Sequence, residues 1–113
     1  MSETIDWSDF QRIDIRVGTI LRAEPSASAH KPAITLWIDF GPEVGEKKSS
    51  ARLTHYYTSE SLIGRQVAAV VNFPPRQIGK VRSEVLVLGF PDAGGEVVLI
   101  MPDRKIPDGG RLF

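Results

Sequence analysis

The chain contains no cysteine, which excludes disulfides, thiolate nucleophiles and cysteine-ligated zinc, and fits a reducing compartment. Histidine is scarce too: His30 and His55 are separated by a strand and a turn, with no carboxylate cluster beside them, so no metal site is expected. No apolar run approaches the ~20 residues of a membrane-spanning helix. The opening Met1-Ser2-Glu3-Thr4-Ile5-Asp6 is acidic and lacks a basic stretch followed by an apolar core, so no secretory leader is expected and the cytoplasm is the expected location. Net charge is absent as well, with 14 basic and 14 acidic residues. That balance argues against a protein that coats nucleic acid indiscriminately and confines any polyanion contact to a patch. Catalytic signatures are missing. Gly94-Gly95 has neither a Walker pattern nor a dinucleotide fingerprint around it, and Ser49-Ser50 sits in no Gly-x-Ser-x-Gly elbow. Neither an enzyme nor a cofactor is expected.

What is present is an ordinary globular composition, 42% hydrophobic and 25% charged over 113 residues, which places the chain in the size range of one domain. The expected domain runs from residue 9 to 113, with residues 1–8 as an N-terminal extension. Ser8-Asp9-Phe10-Gln11 has the form of a capping box for a single helical turn. Ile13, Ile15 and Val17 alternate with Asp14, Arg16 and Gly18, the period of a half-buried strand, with a bend or bulge expected at Gly18. Asp14 and Arg16 then share a strand face and form an expected ion pair in a barrel mouth. Pro25 to Pro32 reads as a loop. In the next strand Ile34, Leu36, Ile38 and Phe40 take one face, and Thr35, Trp37 and Asp39 the other. A turn at Gly41 to Glu46 and a polar strand from Lys47 to Leu53 follow. Thr58 is placed to cap a short helix that has Glu60 in its first turn and Gly64 just past its end. Gln66 to Phe73 is apolar on both faces and reads as a central strand. Val85 to Leu88 and Glu96 to Met101 are further strands. The tail from Pro102 closes on Leu112-Phe113, an apolar end expected to be docked. Five or six short strands with one helix between the third and fourth predict an all-β fold, a five-stranded Greek-key OB-fold barrel with a C-terminal extension.

The most informative stretch is Asn72-Phe73-Pro74-Pro75-Arg76-Gln77-Ile78-Gly79-Lys80-Val81-Arg82-Ser83-Glu84. Neither proline donates a backbone N–H, and each biases the residue before it toward extended geometry, so the strand stops and the chain leaves the sheet. From Ser61 to Ser83 there are four cations, Arg65, Arg76, Lys80 and Arg82, and no acid. A surface built to meet a partner is expected here.

Three stretches together resemble the tRNA-binding-domain family and, within it, the CsaA type of small dimeric secretion chaperone. They are Asp14-Ile15-Arg16-Val17-Gly18-Thr19-Ile20; Tyr57-Thr58-Ser59-Glu60-Ser61-Leu62-Ile63-Gly64; and Val71-Asn72-Phe73-Pro74-Pro75-Arg76 through Ser83-Glu84-Val85-Leu86-Val87-Leu88. The resemblance covers about residues 9 to 113. It implies an OB-fold, a homodimer formed partly by the C-terminal segment, and binding rather than catalysis: of tRNA in some members, of unfolded export-bound proteins or peptides in the CsaA type. Where tRNA-binding members carry Ser-Gln-Gly-Met, this chain has Ser83-Glu84-Val85-Leu86, a negative charge beside the basic loop. The first long loop has Ala29-His30-Lys31-Pro32-Ala33-Ile34 in place of His-Pro-x-Ala-Asp-Lys-Leu. Both departures lie on the side of the CsaA branch.

The binding residues expected on these grounds are Trp37, Asn72, Phe73, Arg76, Lys80, Arg82 and Ser83. The cations are read as phosphate or client contacts, and Trp37 and Phe73 as a stacking platform or an apolar groove. Phe90 is a further apolar contact. A solvated basic loop, with Glu84 paired to Arg82 or Arg76, and burial of Phe73 in the core or a dimer interface are the plainer alternatives. Tyr56 and Tyr57 beside His55 read as packing residues. Ile106, Leu112 and Phe113 are the expected dimer contacts.

Overall fold

Ile34, Leu36, Ile38 and Phe40 are all buried while Trp37 and Asp39 are half-exposed, so the alternation along β2 (Ala33–Asp39) sets which face meets the core from Leu36 onward, whereas Thr35, expected on the outer face, is buried too. The computed structural model describes residues 2–26 and 32–113; the departures at Ala29, His30 and Lys31 lie outside them, as does most of the expected loop. Before β2 come α1 (Trp7–Gln11) and β1 (Ile15–Ser26); after it come α2 (Gly41–Val44), β3 (Glu46–Ala51), α3 (Ser59–Leu62) and β4 (Gln66–Val70). The chain ends in β5 (Arg76–Ile78), β6 (Val81–Ser83), β7 (Leu86–Val87), β8 (Gly89–Pro91) and β9 (Val97–Leu99).

The main sheet is antiparallel in the order β3-β2-β1-β4-β7. It curls, and the segment leading into β7 meets β3: the Glu84 N–H donates to the Lys48 carbonyl at 2.7 Å and the Ser49 hydroxyl donates to the Val85 carbonyl at 3.0 Å. That is the OB-type arrangement, with α3 between the third and fourth strands as the sequence predicts. All of β4 is buried, which explains its two apolar faces: β1 and β7 flank it and the core lies beneath. Phe40, Ile20, Leu36, Ile38, Leu62 and Val67 are the large side chains shut off from solvent, each contributing about 1.5–3 kcal/mol of burial.

Local signals hold at α3, where the Thr58 hydroxyl accepts from the Ser61 N–H at 3.1 Å and Gly64 follows with φ +86°. Elsewhere the structure corrects the reading. The cap of α1 is Asp6, whose N–H donates to the Asp9 carboxylate at 3.0 Å, so Ser8 and Gln11 lie within the helix. The register shift in β1 falls between Ile20 and Arg22. Gly18 instead serves close approach, because a Cβ there would lie 2.6 Å from Ile38 Cγ2. Gly41 to Val44 forms a helical turn rather than an open one. Pro25 sits inside β1, paired with Ile34. It is tolerated because, among the described residues, β1 has a strand on one side only at that end.

The tail docks by its backbone. Val17 exchanges hydrogen bonds with Gly109 (2.8 Å) and Gly110 (3.1 Å), and the Leu112 N–H donates to the Ile15 carbonyl at 2.8 Å. Gly109, at φ +93°, lets the tail cross against Phe40 and Gly41, where a Cβ would strike the Phe40 carbonyl. Among the described residues no helix is long and apolar enough to cross a membrane.

Candidate binding surface

The stretch from Asn72 to Glu84 folds into a projecting hairpin, β5 paired with β6 through Gly79-Lys80. Gly79 has φ +59° and stands first of the two turn residues, the place where a tight hairpin turn asks for glycine. Arg76 pairs with Ser83, Gln77 with Arg82, and Ile78 with Val81. Side chains alternate across a strand, so the hairpin has two faces. Arg76, Ile78, Val81 and Ser83 share one, while Gln77 and Arg82 share the other.

On the first face lies a groove of about 280 Å³ lined by Phe73, Pro74, Arg76, Ile78, Val85 and Leu86, with Ser50, Ser83 and Glu84 at its polar side. Phe73 is 51% exposed and Leu86 50%, so the structure places Phe73 at an open surface of this chain rather than in its core. Arg76 and Arg82 are exposed, and neither has an ion pair or hydrogen bond among the described residues. Lys80 is exposed at the turn.

Two polar residues expected to bind a ligand are placed in supporting positions. Ser83 is buried; its hydroxyl accepts from the Ser50 N–H at 3.2 Å and lies 3.3 Å from the Val85 carbonyl. Asn72 accepts from the Asp14 N–H at 3.0 Å and donates to the Arg12 carbonyl at 2.7 Å. The oxygen and the nitrogen of the Asn72 side-chain amide thus tie the end of β4 to the start of β1. Glu84 pairs with neither arginine. Its carboxylate accepts from the Lys48 N–H at 3.0 Å, so the acid completes the join to β3, and one of its oxygens is already engaged.

Trp37 belongs to another surface. It lies between Arg22 and Lys48 in register, with the Arg22 guanidinium 4.3 Å and the Lys48 ammonium 5.7 Å from its ring centroid, both within cation–π range. Arg22 Nε donates to Glu24 at 3.0 Å. Lys48 precedes buried Ser49 as Arg82 precedes buried Ser83, so both cations point away from the core. Arg22, Trp37, Lys48 and Arg82 are therefore outward-facing groups on β1, β2, β3 and β6. The sequence reading missed Arg22 and Lys48. Only cross-strand register brings them to Trp37.

At the other end, the chain termini form an apolar face. Trp7, Phe10, Ile13, Leu112 and Phe113 line one hollow, and Ile15, Val17, Ala68, Met101, Ile106 and Leu112 line much of a larger one of about 550 Å³. Trp7 is 64% exposed, and Ile106, Leu112 and Phe113 are exposed as well. Charge is neutralised here. Arg16 reaches Asp14 at 2.7 Å, Glu43 at 3.1 Å and the Gly109 carbonyl at 3.0 Å, which is the expected mouth pair enlarged into a clamp on the tail. The hydrogen bond that Arg16 donates to the Asp14 carboxylate raises the Arg16 pKa above its ordinary value. Arg111 lies 3.6 Å from Asp14 and donates to the Gln11 carbonyl at 2.8 Å.

Phe90 is exposed opposite Val98 on the β8–β9 hairpin and does not line the groove. Tyr56 donates to Asp92, and His55 Nδ1 is 4.0 Å from Glu96. The Tyr56–Asp92 bond raises the tyrosine pKa and lowers the aspartate's. Tyr57 accepts from the Leu99 N–H at 3.0 Å. These contacts join the loop before α3 to the β8–β9 hairpin. Among the described residues no group of three or more histidine and acidic side chains is placed to hold a metal ion.

A curled OB-type barrel presenting a cationic hairpin with an apolar groove defines a binding module. Its residues 15–111 match the model of the tRNA binding domain family, and the chain belongs to that family. Among solved structures it is similar to the chaperone CsaA of Bacillus anthracis str. Ames, with 47% identity and a TM-score of 0.90 over 98% of this chain and 100% of that one. It is also similar to the CsaA chaperone protein of Picrophilus torridus, with 45% identity and a TM-score of 0.89 over 97% and 100%. The methionine–tRNA ligase of Methanosarcina mazei is 35% identical over 108 residues, which are 96% of this chain and 15% of the ligase. The chain thus spans about 15% of the length of the curated ligase it matches. These relationships support a CsaA-like or tRNA-binding protein.

Proposed function

We propose that this protein is a non-catalytic, homodimeric export chaperone of the CsaA kind, which holds unfolded preprotein segments in the cytoplasm. The observation that carries the reading is the hairpin groove: apolar side chains open to solvent beside Arg76, which has no partner among the described residues, in a chain resembling two CsaA chaperones over nearly its whole length. Phe73, Ile78 and Leu86 offer apolar contact to an extended segment, and Arg76 offers charge. Ser83, Glu84 and Asn72 hold the hairpin in place. The terminal face around Trp7, Ile106, Leu112 and Phe113 supports dimerisation, since it is apolar with its cations already neutralised, the character of a surface buried permanently against a copy. A dimer doubles every groove, so weak contacts to one long client combine. The test is dilution of a chemically denatured client into buffer with the purified protein, followed by light scattering. Suppressed scattering at stoichiometric amounts is expected; unchanged scattering contradicts the reading.

A second reading, tRNA binding, is favoured by the row Arg22, Trp37 and Lys48 with Arg82 beyond it, because outward cations around an aromatic ring suit an RNA backbone. Its signature is salt. Each phosphate contact lowers log affinity by about 0.7 per unit of log salt for a single strand, whereas apolar peptide binding is far less sensitive.

A further inference from the structure

Resting on the chaperone reading, we infer that the hairpin groove selects peptide segments in which a large apolar residue adjoins an acidic one, with Arg76 alone of the loop cations reading the acid. Two independent observations separate Arg76 from its neighbours. The β5–β6 register puts Arg76 on the face of Ile78 and puts Arg82 on the opposite face with Gln77. The groove lining includes Arg76 and Ile78 and omits Gln77, Lys80 and Arg82.

Charge then decides the occupant. The groove holds one cation and one acid, Glu84. Glu84 has one carboxylate oxygen engaged by the Lys48 N–H, whereas Arg76 has no partner among the described residues. A guanidinium in that position offers paired N–H donors to a carboxylate, the geometry arginine fits best. The floor, made of Phe73, Ile78, Val85 and Leu86, is a setting for an aliphatic or aromatic side chain. A nucleic acid backbone brings a charge at every residue and needs several cations along its path. This face supplies one, so a peptide with a single acid beside its apolar anchor fits better than a phosphodiester strand. Arg82 faces the other way and serves at most the outer row.

The test uses three fluorescently labelled, unstructured peptides of equal length around one leucine, differing only in whether the adjacent residue is glutamate, glutamine or lysine. Anisotropy titrations at physiological salt are run on the wild-type protein, Arg76→Glu and Arg82→Glu, with thermal melts to check that both variants fold. The expected wild-type order is glutamate, glutamine, lysine, spanning about three- to tenfold in affinity as one partly shielded ion pair allows. Arg76→Glu should invert that order, and Arg82→Glu should preserve it. Equal affinity for all three peptides, or inversion by Arg82→Glu instead, overturns this inference and leaves the chaperone reading standing. Failure of all three to bind overturns both. Displacement of the glutamate peptide by a single-stranded RNA oligonucleotide, abolished by Arg76→Glu, assigns the groove to nucleic acid and also overturns the inference.

Discussion

The hairpin groove and the terminal face are both apolar surfaces open to solvent, and they differ in what has been done with their arginines. At the terminal face Arg16 and Arg111 are held by Asp14, Glu43 and backbone carbonyls. At the hairpin Arg76 and Arg82 are left unpaired among the described residues. A charge buried without a partner is costly, so a surface destined for permanent burial neutralises its cations first. A surface that exchanges ligands gains from keeping them available, since unpaired charge accelerates encounter and discriminates among partners. Under the proposed function the two regions would take different occupants: a second copy of the chain at the termini, a client at the hairpin.

The largest effect should come from deleting the last five residues, which removes the Gly109, Gly110 and Leu112 bonds to β1 together with Phe113. Monomer or insoluble protein is expected by size-exclusion chromatography with light scattering; a truncated chain that stays dimeric and equally stable places the interface elsewhere. Next come two matched substitutions that separate the surfaces. Leu112→Ser should weaken dimerisation and leave the affinity of each groove for a short peptide unchanged. Phe73→Ser should lower that affinity by about tenfold, the order of one aromatic contact, without altering the oligomeric state. Equal effects of both on both measurements would erase the distinction. A smaller effect is expected for Arg76→Ala with Lys80→Ala on tRNA binding, where the slope of log affinity against log salt should flatten by about 1.4 units if both cations meet phosphates at about 0.7 each. An unchanged slope removes Arg76 and Lys80 from any RNA site and leaves only the outer row with Arg82.

The smallest effect concerns pH. Asp92 is depressed below 3.8 by its bond from Tyr56, and Tyr56 is raised above 10.0 by the same bond. The carboxylate's contribution is present above its unfolded pKa and fades as pH falls through the depressed value. The phenol's contribution is present below its unfolded pKa and fades as pH rises through the raised one. Tyr56→Phe should thus lower the melting temperature slightly between those limits and not beyond them. A drop of the same size at all pH values would mean packing, not the hydrogen bond, joins that loop to β8–β9.

Much of the fold was legible because its signals are local or periodic. The β2 alternation, the Thr58 cap, the apolar β4 and the alternate Asp14 and Arg16 each follow from residues close in sequence. The site was less legible, because what decides it is register. The irregularity between Ile20 and Arg22 fixes which residue of β1 meets Trp37, and nothing near Gly18 announces that the shift lies further on. Ser83 and Glu84 look in sequence like the polar end of a basic loop. In the fold they are spent on joining β6 to β3. Likewise Arg76 and Arg82 look equivalent until pairing places them on opposite faces.

The most direct measurement of the central claim is a titration of an unfolded, leucine-containing acidic peptide against the wild-type protein and a Phe73→Ser, Arg76→Glu double variant, both checked for folding and oligomeric state. Saturable binding by the wild type that is lost in the double variant, with the dimer intact, is the predicted result. Undiminished binding by the double variant would contradict the assignment of the hairpin groove as the docking face.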